Sequence, residues 1–209
     1  MNLKIIYEDD FMFAIDKPGG LVSVPAPNIP EAKTVQGIMR MQLRDKDYKS
    51  YLLHRIDRDT SGVLLFGKYP RDREALEGIF KDPKTEKTYL ALVKGNPRFS
   101  KSTINFPLES REKKEKIPAT THYRLMKRLG ILSMLEVKIE TGRKHQIRKH
   151  LAMIGNPLVL DREYGDKKFN RKYLDLTKDQ GRYFLQAWKI KFHHPLLDKM
   201  VEIQAPASF

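Results

Sequence analysis

The sequence contains no cysteine. That absence excludes disulfide bonds, zinc–thiolate sites and thiol catalysis, and a cytoplasmic protein is the simplest account of it. No stretch approaches the roughly 20 apolar residues that a membrane-spanning helix needs. Glu8, Asp9 and Asp10 interrupt the amino-terminal segment where a signal peptide would carry its apolar core. We therefore expect a cytoplasmic protein with no membrane partner.

Acidic residues are the minority among the charged side chains. The 209 residues include 26 Asp and Glu against 40 Lys and Arg, a formal net charge of +14. Such a surplus favours an anionic partner, and nucleic acid is the commonest one. A DNA-binding protein is one alternative, but no helix-turn-helix or zinc-finger spacing supports it.

The pattern of elements predicts one domain over residues 1–209, because no internal repeat and no interior linker divides the chain. Strands and helices follow one another without regular βαβ alternation. This order favours an α+β fold with a mixed, mostly antiparallel sheet and flanking helices. Residues 111–116 are interpreted as a solvated charged loop. Strands are predicted at residues 3–7, 11–15, 63–66, 89–93, 131–139, 183–192 and 200–203, and helices at 34–44, 71–81 and 144–154.

Residues 50–68, SYLLHRIDRDTSGVLLFGK, set the carboxylate of Asp57 between Arg55 and Arg58. A turn and an apolar run follow, so the carboxylate is expected on a fixed loop at the edge of a core. Nearby positive charges favour the ionised form, and an ionised, oriented carboxylate can act as a nucleophile or a base. The alternative is a structural ion pair that closes the loop.

Two further segments carry side chains that could contribute to an active site. Residues 141–159, TGRKHQIRKHLAMIGNPLV, predict a helix in which Ile147 and Leu151 are buried and Arg148 emerges beside that buried face. The spacing alone indicates a basic surface helix. Residues 84–95, KTEKTYLALVKG, place Tyr89 at the start of a strand, where a tyrosine is ordinarily a core or rim residue.

Taken together, these segments resemble one enzyme family. HRIDRDTSGVLLFGK resembles the HRLDxxTSGLLL signature of the RluA-type pseudouridine synthases, which convert uridine to pseudouridine in structured RNA. GRKHQIRKH matches the family's GRxHQIRxH at every fixed position, and KTYLALV and DKPGGLVSVP are similar to its tyrosine and KPxGLxV motifs. The chain departs from the family at Ile56 (Leu is usual), Leu160 (Gly) and Gln186 (His). The protein-kinase string HRDLxxxN does not fit, because Ile56 separates Arg55 from Asp57 and neither GxGxxG nor DFG is present.

The resemblance implies a pseudouridine synthase fold with a central catalytic cleft and three catalytic residues. Asp57 falls on the family's catalytic aspartate, and Arg148 on the arginine that pairs with it. Tyr89 falls on the tyrosine whose ring stacks on the target base and whose hydroxyl can take part in proton transfer at C5. The residues leave open whether Asp57 attacks covalently or assists as a base at the ribose.

The same resemblance implies the RNA contacts. Arg143 and His145 are expected close to RNA, Lys17 is a candidate phosphate contact, and Arg55 and Arg58 flank the reactive carboxylate. A separate hypothesis rests on the position of Arg55 beside Asp57 and on its shape: we expect Arg55 to fill the gap left when the target base flips out of its stack. The partner is then a ribosomal or transfer RNA stem-loop, which the protein is expected to bind as a monomer.

The histidine spacing does not favour a metal site. His145 and His150 are five residues apart, and no HExxH occurs. We expect neither a metal nor another cofactor. The KPxG pattern begins at Lys17, which leaves no room for the small amino-terminal RNA-binding domain of many relatives. An RNA-binding protein without activity, such as a ribosome-assembly factor, is the remaining alternative, and the presence of Asp57, Tyr89 and Arg148 argues against it.

Overall fold

The computed structural model describes residues 1–110, 115–177 and 182–209. Its contacts divide the chain into two compact units. Unit 1 comprises Met1–Glu86 and Ala187–Ser208, and unit 2 comprises Lys87–Gln186 with Phe209. A single catalytic domain and a central cleft stay predictions. The charged loop interpreted at residues 111–116 lies largely outside the described residues.

Unit 1 is built on strands in the order β1–β2–β4–β11, with β12 paired to β11 and β3 paired to β4. The pairs β1–β2, β2–β4, β3–β4 and β11–β12 are antiparallel. Strand β11 begins in unit 2 and contributes its residues from Ala187 onward to unit 1. The strands are β1 (Ile5–Glu8), β2 (Met12–Lys17), β3 (Tyr51–Leu52), β4 (Ser61–Gly67), β11 (Leu185–His194) and β12 (Lys199–Gln204).

The central strands of unit 1 are buried on both faces. Met12 and Leu65 face a cluster that includes Leu76 of helix α2 (Arg73–Gly78). Alternating residues of β2 and β4 face a second cluster, which includes Val35 and Met39 of helix α1 (Val35–Gln42). Two-sided burial accounts for the continuous apolar runs of these strands. Each fully buried Leu or Phe contributes roughly 1.5–3 kcal/mol relative to leaving it exposed.

The first helix begins where the sequence predicts. The hydroxyl of Thr34 accepts a hydrogen bond from the Gly37 backbone N–H at 3.1 Å, which caps α1. Short 3₁₀ turns at Glu31–Lys33 and Pro70–Asp72 precede α1 and α2. Helix α2 is therefore shorter than the predicted helix at residues 71–81.

Unit 2 contains strands in the order β5–β10–β9–β6, whose three pairings are antiparallel. A separate two-stranded piece joins β7 to β8. Helix α3 (Gln146–Met153) packs Ile147 and Leu151 on one apolar cluster, while helix α4 (Lys167–Thr177) packs Phe169, Tyr173 and Leu174 on another. The strands are β5 (Glu86–Lys94), β6 (Lys101–Ile104), β7 (Leu108–Glu109), β8 (Lys116–Ile117), β9 (Thr121–Leu129) and β10 (Leu132–Ile139).

The architecture confirms the predicted fold class, an α+β fold with a mostly antiparallel sheet. The predicted strands are all present, with ends displaced by a few residues. Helix α4, strand β3 and strands β6 to β9 were not predicted. Of the helices in the described part of the chain, none is long and apolar enough to cross a membrane.

His150 on α3 is a satisfied core histidine. Its side chain is fully buried, with Nδ1 2.9 Å from the Thr121 hydroxyl and Nε2 2.8 Å from the Phe106 carbonyl oxygen. Burial lowers the pKa of the imidazole, and the hydrogen bond to the Phe106 carbonyl opposes that shift only in part. The folded protein therefore favours neutral His150.

This burial predicts a loss of stability in mild acid. The unfolded chain protonates His150 near its ordinary pKa of about 6.5, whereas the folded protein does so only at lower pH. The stabilisation is thus complete above about pH 6.5 and is lost as pH falls through the folded pKa. Between pH 7.5 and 5.5, the free energy of unfolding should decrease more in wild type than in His150→Gln. Equal slopes for wild type and His150→Gln would contradict the expectation.

Candidate active site

The loop that carries Asp57 is fixed through its backbone. Three successive carbonyl oxygens accept hydrogen bonds: that of Ile56 from the Ser23 hydroxyl at 3.1 Å, that of Asp57 from the Thr60 N–H at 3.2 Å, and that of Arg58 from the Gly20 N–H at 2.9 Å. A loop with its carbonyls engaged in this way has little freedom to rotate its peptide groups. The Asp57 side chain is partly exposed on this fixed backbone.

Lys17 provides a further anchor for the same loop. Its side chain is fully buried, and Nζ donates to the carbonyl oxygens of Pro18 (2.9 Å), Leu21 (2.7 Å) and Arg58 (2.9 Å). A buried ammonium engaged with backbone carbonyls is not placed to meet a phosphate in solvent. We therefore correct the predicted phosphate contact: Lys17 holds the turn at residues 18–21 against the Asp57 loop.

Strand β4 fixes the two ends of the loop. The Leu53 N–H donates to the Leu65 carbonyl at 3.0 Å, and the Leu65 N–H donates to Nε2 of His54 at 3.1 Å. Gly62 has φ of +103°, and a Cβ there would lie 2.2 Å from the carbonyl oxygen of Ala187. Only glycine satisfies both the backbone conformation and this close approach.

The two arginines that flank Asp57 are exposed. Nε of Arg58 donates to the Gly20 carbonyl at 3.3 Å and lies 3.7 Å from a carboxylate oxygen of Asp59. Unit 1 thus carries Asp57, Arg55 and Arg58 on one loop, which Lys17 holds through the Arg58 carbonyl.

In unit 2, the guanidinium of Arg148 is held on several sides. Nε and Nη2 donate to the two carboxylate oxygens of Asp161 at 2.7 and 2.8 Å, and Nη2 also donates to Glu163 at 3.2 Å. The rings of Tyr164 and Tyr183 lie 4.8 and 4.6 Å from the guanidinium carbon. The Arg148 side chain is 7% exposed and that of Asp161 is 0% exposed. The arrangement fixes the direction of Arg148 within its own unit.

The negative charge of the Asp161 carboxylate is stabilised both by the Arg148 side chain and by backbone N–H groups. Its Oδ1 also accepts from the backbone N–H groups of Glu163 (2.9 Å) and Tyr164 (3.0 Å). Burial raises the pKa of the Asp161 carboxyl, but the hydrogen bonds from Arg148 and from the backbone outweigh burial, so the net pKa is lower than usual. Asp161 is therefore ionised opposite the cation.

A strained residue precedes Asp161. Leu160 has φ of +64°, a left-handed conformation that is unfavourable for leucine. Asn170 of α4 stabilises this turn, since its Oδ1 accepts from the Leu160 N–H and its Nδ2 donates to the Asp161 carbonyl, both at 2.9 Å. The Leu160 side chain is buried in the cluster that includes Leu92. The departure from the family's glycine is accommodated by these contacts.

Gln146 positions the turn that carries Arg143. Its Oε1 accepts from the Thr141 hydroxyl (2.7 Å) and the Arg143 N–H (3.0 Å), while Nε2 donates to the Thr120 carbonyl (2.9 Å) and the Thr121 hydroxyl (3.0 Å). The Arg143 side chain is exposed, and its Nε donates to the Pro118 carbonyl at 3.2 Å.

In unit 2, His145 lies at the start of helix α3, whereas Tyr89 lies on strand β5. His145 precedes α3 with φ of +54°, and its Nδ1 lies 3.1 Å from the Tyr164 hydroxyl and 3.4 Å from a carboxylate oxygen of Glu163. Tyr89 lies on β5, opposite Val137 of β10, and packs partly buried against the cluster around α3. Unit 2 thus carries Tyr89, Arg143, His145 and Arg148. The pairing of Arg148 with Asp57 stays a prediction.

Sequence reasoning missed the residues that hold Arg148. Asp161, Glu163 and Tyr164 belong to the string DREYG, whose two acids follow the basic helix after a short connection and were the available signal. Tyr183 lies far along the chain and offered none. Within the described ranges, no group of three His, Asp or Glu side chains is placed to hold a metal ion.

Comparison with known proteins establishes the family. Residues 11–153, more than half of the chain, match the family described as RNA pseudouridylate synthase. The chain therefore belongs to the RNA pseudouridylate synthase family, and the resemblance seen in the sequence is confirmed.

Several relatives and solved structures are similar to the chain over most of its length. The "Ribosomal large subunit pseudouridine synthase C" proteins of Vibrio parahaemolyticus and Escherichia coli are 34% and 32% identical to it over 97% of its length. The chain spans 65% and 66% of those two relatives. "Uncharacterized RNA pseudouridine synthase YlyB" of Bacillus subtilis is 32% identical over 99% of this chain and 69% of its own length. The structure of "Human RNA Pseudouridylate Synthase Domain Containing 1" shares the fold with a TM-score of 0.79 and 22% identity, over 98% of this chain and 83% of that one.

The buried ammonium of Lys17 predicts a structural phenotype. Lys17→Met should lower the free energy of unfolding by about 3 kcal/mol or more, because three buried carbonyls lose a donor. RNA affinity should keep its wild-type salt dependence, since no phosphate contact is removed. Lys4→Met, at an exposed lysine of the same segment, is the matched control. Urea unfolding measures the change in stability, and a salt titration measures RNA binding. If Lys17→Met kept wild-type stability and gave a smaller slope of log K against log salt, Lys17 would be a phosphate contact after all.

The bidentate pair predicts unequal roles for two neighbouring carboxylates. Asp161→Asn should destabilise the protein by about 3 kcal/mol, because it leaves the buried Arg148 without its main counter-charge. Glu163→Gln should cost less than about 1 kcal/mol, since that carboxylate is largely solvated, with a side chain 54% exposed. Urea unfolding of both variants measures the difference, and equal losses would show that Asp161 is not the dominant partner.

Proposed function

We propose that this chain isomerises a uridine of a structured RNA to pseudouridine, with Asp57 as the reacting carboxylate. The observation that carries the proposal is the Asp57 loop: a partly exposed carboxylate on a backbone whose three successive carbonyls are engaged, within a signature of the RNA pseudouridylate synthase family. Preorganisation of this kind favours chemistry, because small displacements at a reacting centre are costly in rate.

The reaction rearranges bonds without a net gain or loss of atoms. The glycosidic bond between C1′ and N1 breaks, the detached uracil rotates, and a bond forms between C1′ and C5. The proton on C5 leaves, and N1 takes up a proton. Asp57 either bonds to the ribose and is later released or acts there as a base. The family resemblance supports Tyr89 as the residue that stacks on the base and assists the proton transfer.

The target uridine must leave its stack before these side chains can reach it. In this proposal exposed Arg55 fills the vacated space, and Arg58, Arg143 and His145 contact the RNA. Arg148 keeps the role that the resemblance implies, the guanidinium partner of Asp57. The Asp161 carboxylate and the two tyrosine rings support that role, since they fix the guanidinium in advance. No cofactor takes part in the proposed reaction.

We propose a cytoplasmic ribosomal or transfer RNA stem-loop as the substrate and a monomer as the active form. The relatives from Vibrio parahaemolyticus and Escherichia coli are described as ribosomal large subunit enzymes, which makes large-subunit ribosomal RNA the first substrate to test. Mapping pseudouridines in ribosomal and transfer RNA from cells with and without the protein would identify the target.

Asp57→Asn tests the function directly. The substitution keeps the shape of the side chain and removes both nucleophile and base, so product formation should fall below a few per cent of wild type while RNA binding changes little. Asp59→Asn is the matched control, because it removes the same charge two residues away and should keep most of the activity. Tritium release from labelled uridine measures turnover, and filter binding measures affinity.

Three outcomes bear on the proposal. Substantial turnover by Asp57→Asn would remove Asp57 from the reaction. Loss of turnover in both variants would point to a general charge effect in the loop. RNA binding by wild type without product on any RNA would favour the alternative of a binding protein without activity.

A further inference from the structure

Helix α4 has two sharply different sides. Its apolar residues Phe169, Tyr173 and Leu174 pack against the cluster formed by Leu92 and Leu160. Four exposed cations occupy another side, and we name them the α4 cationic face: Lys167, Lys168, Arg171 and Lys172. Arg162, also exposed, lies on the turn that leads to the helix. The face is therefore held in place by a well-packed helix.

The spacing gathers these side chains into one stripe. They fall at positions i, i+1, i+4 and i+5, which are neighbours on a helix surface. With a rise of 1.5 Å per residue, the stripe extends about 7.5 Å along the axis before the length of the side chains is added. Among the residues that the structure describes, none of these four forms an ion pair.

This arrangement is unfavourable for the isolated helix. Lys167 with Arg171 and Lys168 with Lys172 are like-charged pairs at i,i+4, and each costs a few tenths of a kcal/mol. Lys167 and Lys168 also stand in the first turn, which holds no acidic residue and where the helix dipole disfavours cations. Folding stability therefore does not explain the pattern.

Cations on other helices of the chain are balanced differently. Arg73 of α2 lies 3.8 Å from Glu77 at i,i+4, and Arg40 of α1 lies 2.8 Å from Glu31. Unlike these two arginines, the four cations of α4 form no ion pair with any residue that the structure describes. Four adjacent, exposed cations that form no ion pair within the described part of the chain are suited to a polyanion.

We propose that the α4 cationic face binds the sugar–phosphate backbone of the substrate RNA, outside the reacting site. The inference rests on the proposed function, which supplies the polyanion. Lysine and arginine contacts to phosphate fix the register of a nucleic acid and carry no sequence information. A lipid surface fits less well, because the apolar side of α4 is already used in packing, whereas interfacial helices leave that side for the membrane.

The test compares two triple variants with the same change in charge. Lys168→Gln/Arg171→Gln/Lys172→Gln removes three of the four charges of the face and keeps helix propensity. Lys33→Gln/Lys46→Gln/Lys49→Gln removes three exposed lysines of unit 1. The α4 variant should reduce the steepness of the slope of log K against log salt by about 2–3 and weaken binding by about a hundredfold or more near 0.1 M salt. Turnover at saturating RNA should stay at the wild-type level in both variants.

The outcomes separate this inference from the proposed function. Equal slopes for the two variants, or an unchanged slope for the α4 variant, would overturn the inference even with normal pseudouridine formation. A reduced slope in a protein that makes no pseudouridine would uphold RNA binding by the face and reject the activity. Circular dichroism and thermal unfolding verify that α4 is intact. Loss of binding to anionic vesicles with unchanged RNA binding would assign the face to a membrane instead.

Discussion

A cation inside a folded protein must keep its N–H donors bonded, and this constraint organises both units. In unit 1, the ammonium of Lys17 engages the carbonyls of residues 18, 21 and 58. In unit 2, the guanidinium of Arg148 engages two carboxylates and lies close to two aromatic rings. Each buried cation thereby gathers loops that are distant along the chain. The loop that carries Asp57, the proposed reactive residue, and the guanidinium of Arg148, its proposed partner, are thus held by residues to which we assign no part in the reaction.

The two cations illustrate what sequence reasoning can and cannot provide. Asp57 and Arg148 were found because both lie in strings that resemble a known family. Lys17 was found in the same way, but its role was misjudged, since a lysine beside Pro and Gly carries no local signal of burial. Burial follows from the tertiary approach of the turn at 18–21 to the Asp57 loop. Asp161 was missed because its partner lies 13 residues away and the connecting turn is irregular.

Strands were predicted correctly where the apolar pattern was strong. Helix α4 was missed because its sequence departs from the usual residue preferences of helices. The runs at 12–15 and 63–66 were recognisable because both faces of those strands are buried. Helix α4 was overlooked because it opens with two lysines, contrary to the usual preference for acids in a first turn. Leu160 shows the same conflict in the backbone: packing and the Asn170 hydrogen bonds override an unfavourable φ. Replacing it with glycine would relieve roughly 1–2 kcal/mol of strain but would remove a buried leucine worth more than that.

The division of the chain has a consequence for synthesis. Unit 2 is nearly continuous, so its elements emerge from the ribosome in one run, whereas unit 1 draws on residues 1–86 and again on 187–208. Ile190, Phe192, Val201 and Ile203 belong to the same apolar cluster as Met12 and Leu65. At roughly 5–20 residues per second, the nascent amino-terminal strands must wait on the order of seconds for β11 and β12. During that interval β4 lacks its later neighbour β11, and the apolar cluster that β11 and β12 complete stays partly exposed. Exposed apolar surface and an incomplete strand edge make the partly synthesised chain prone to aggregation.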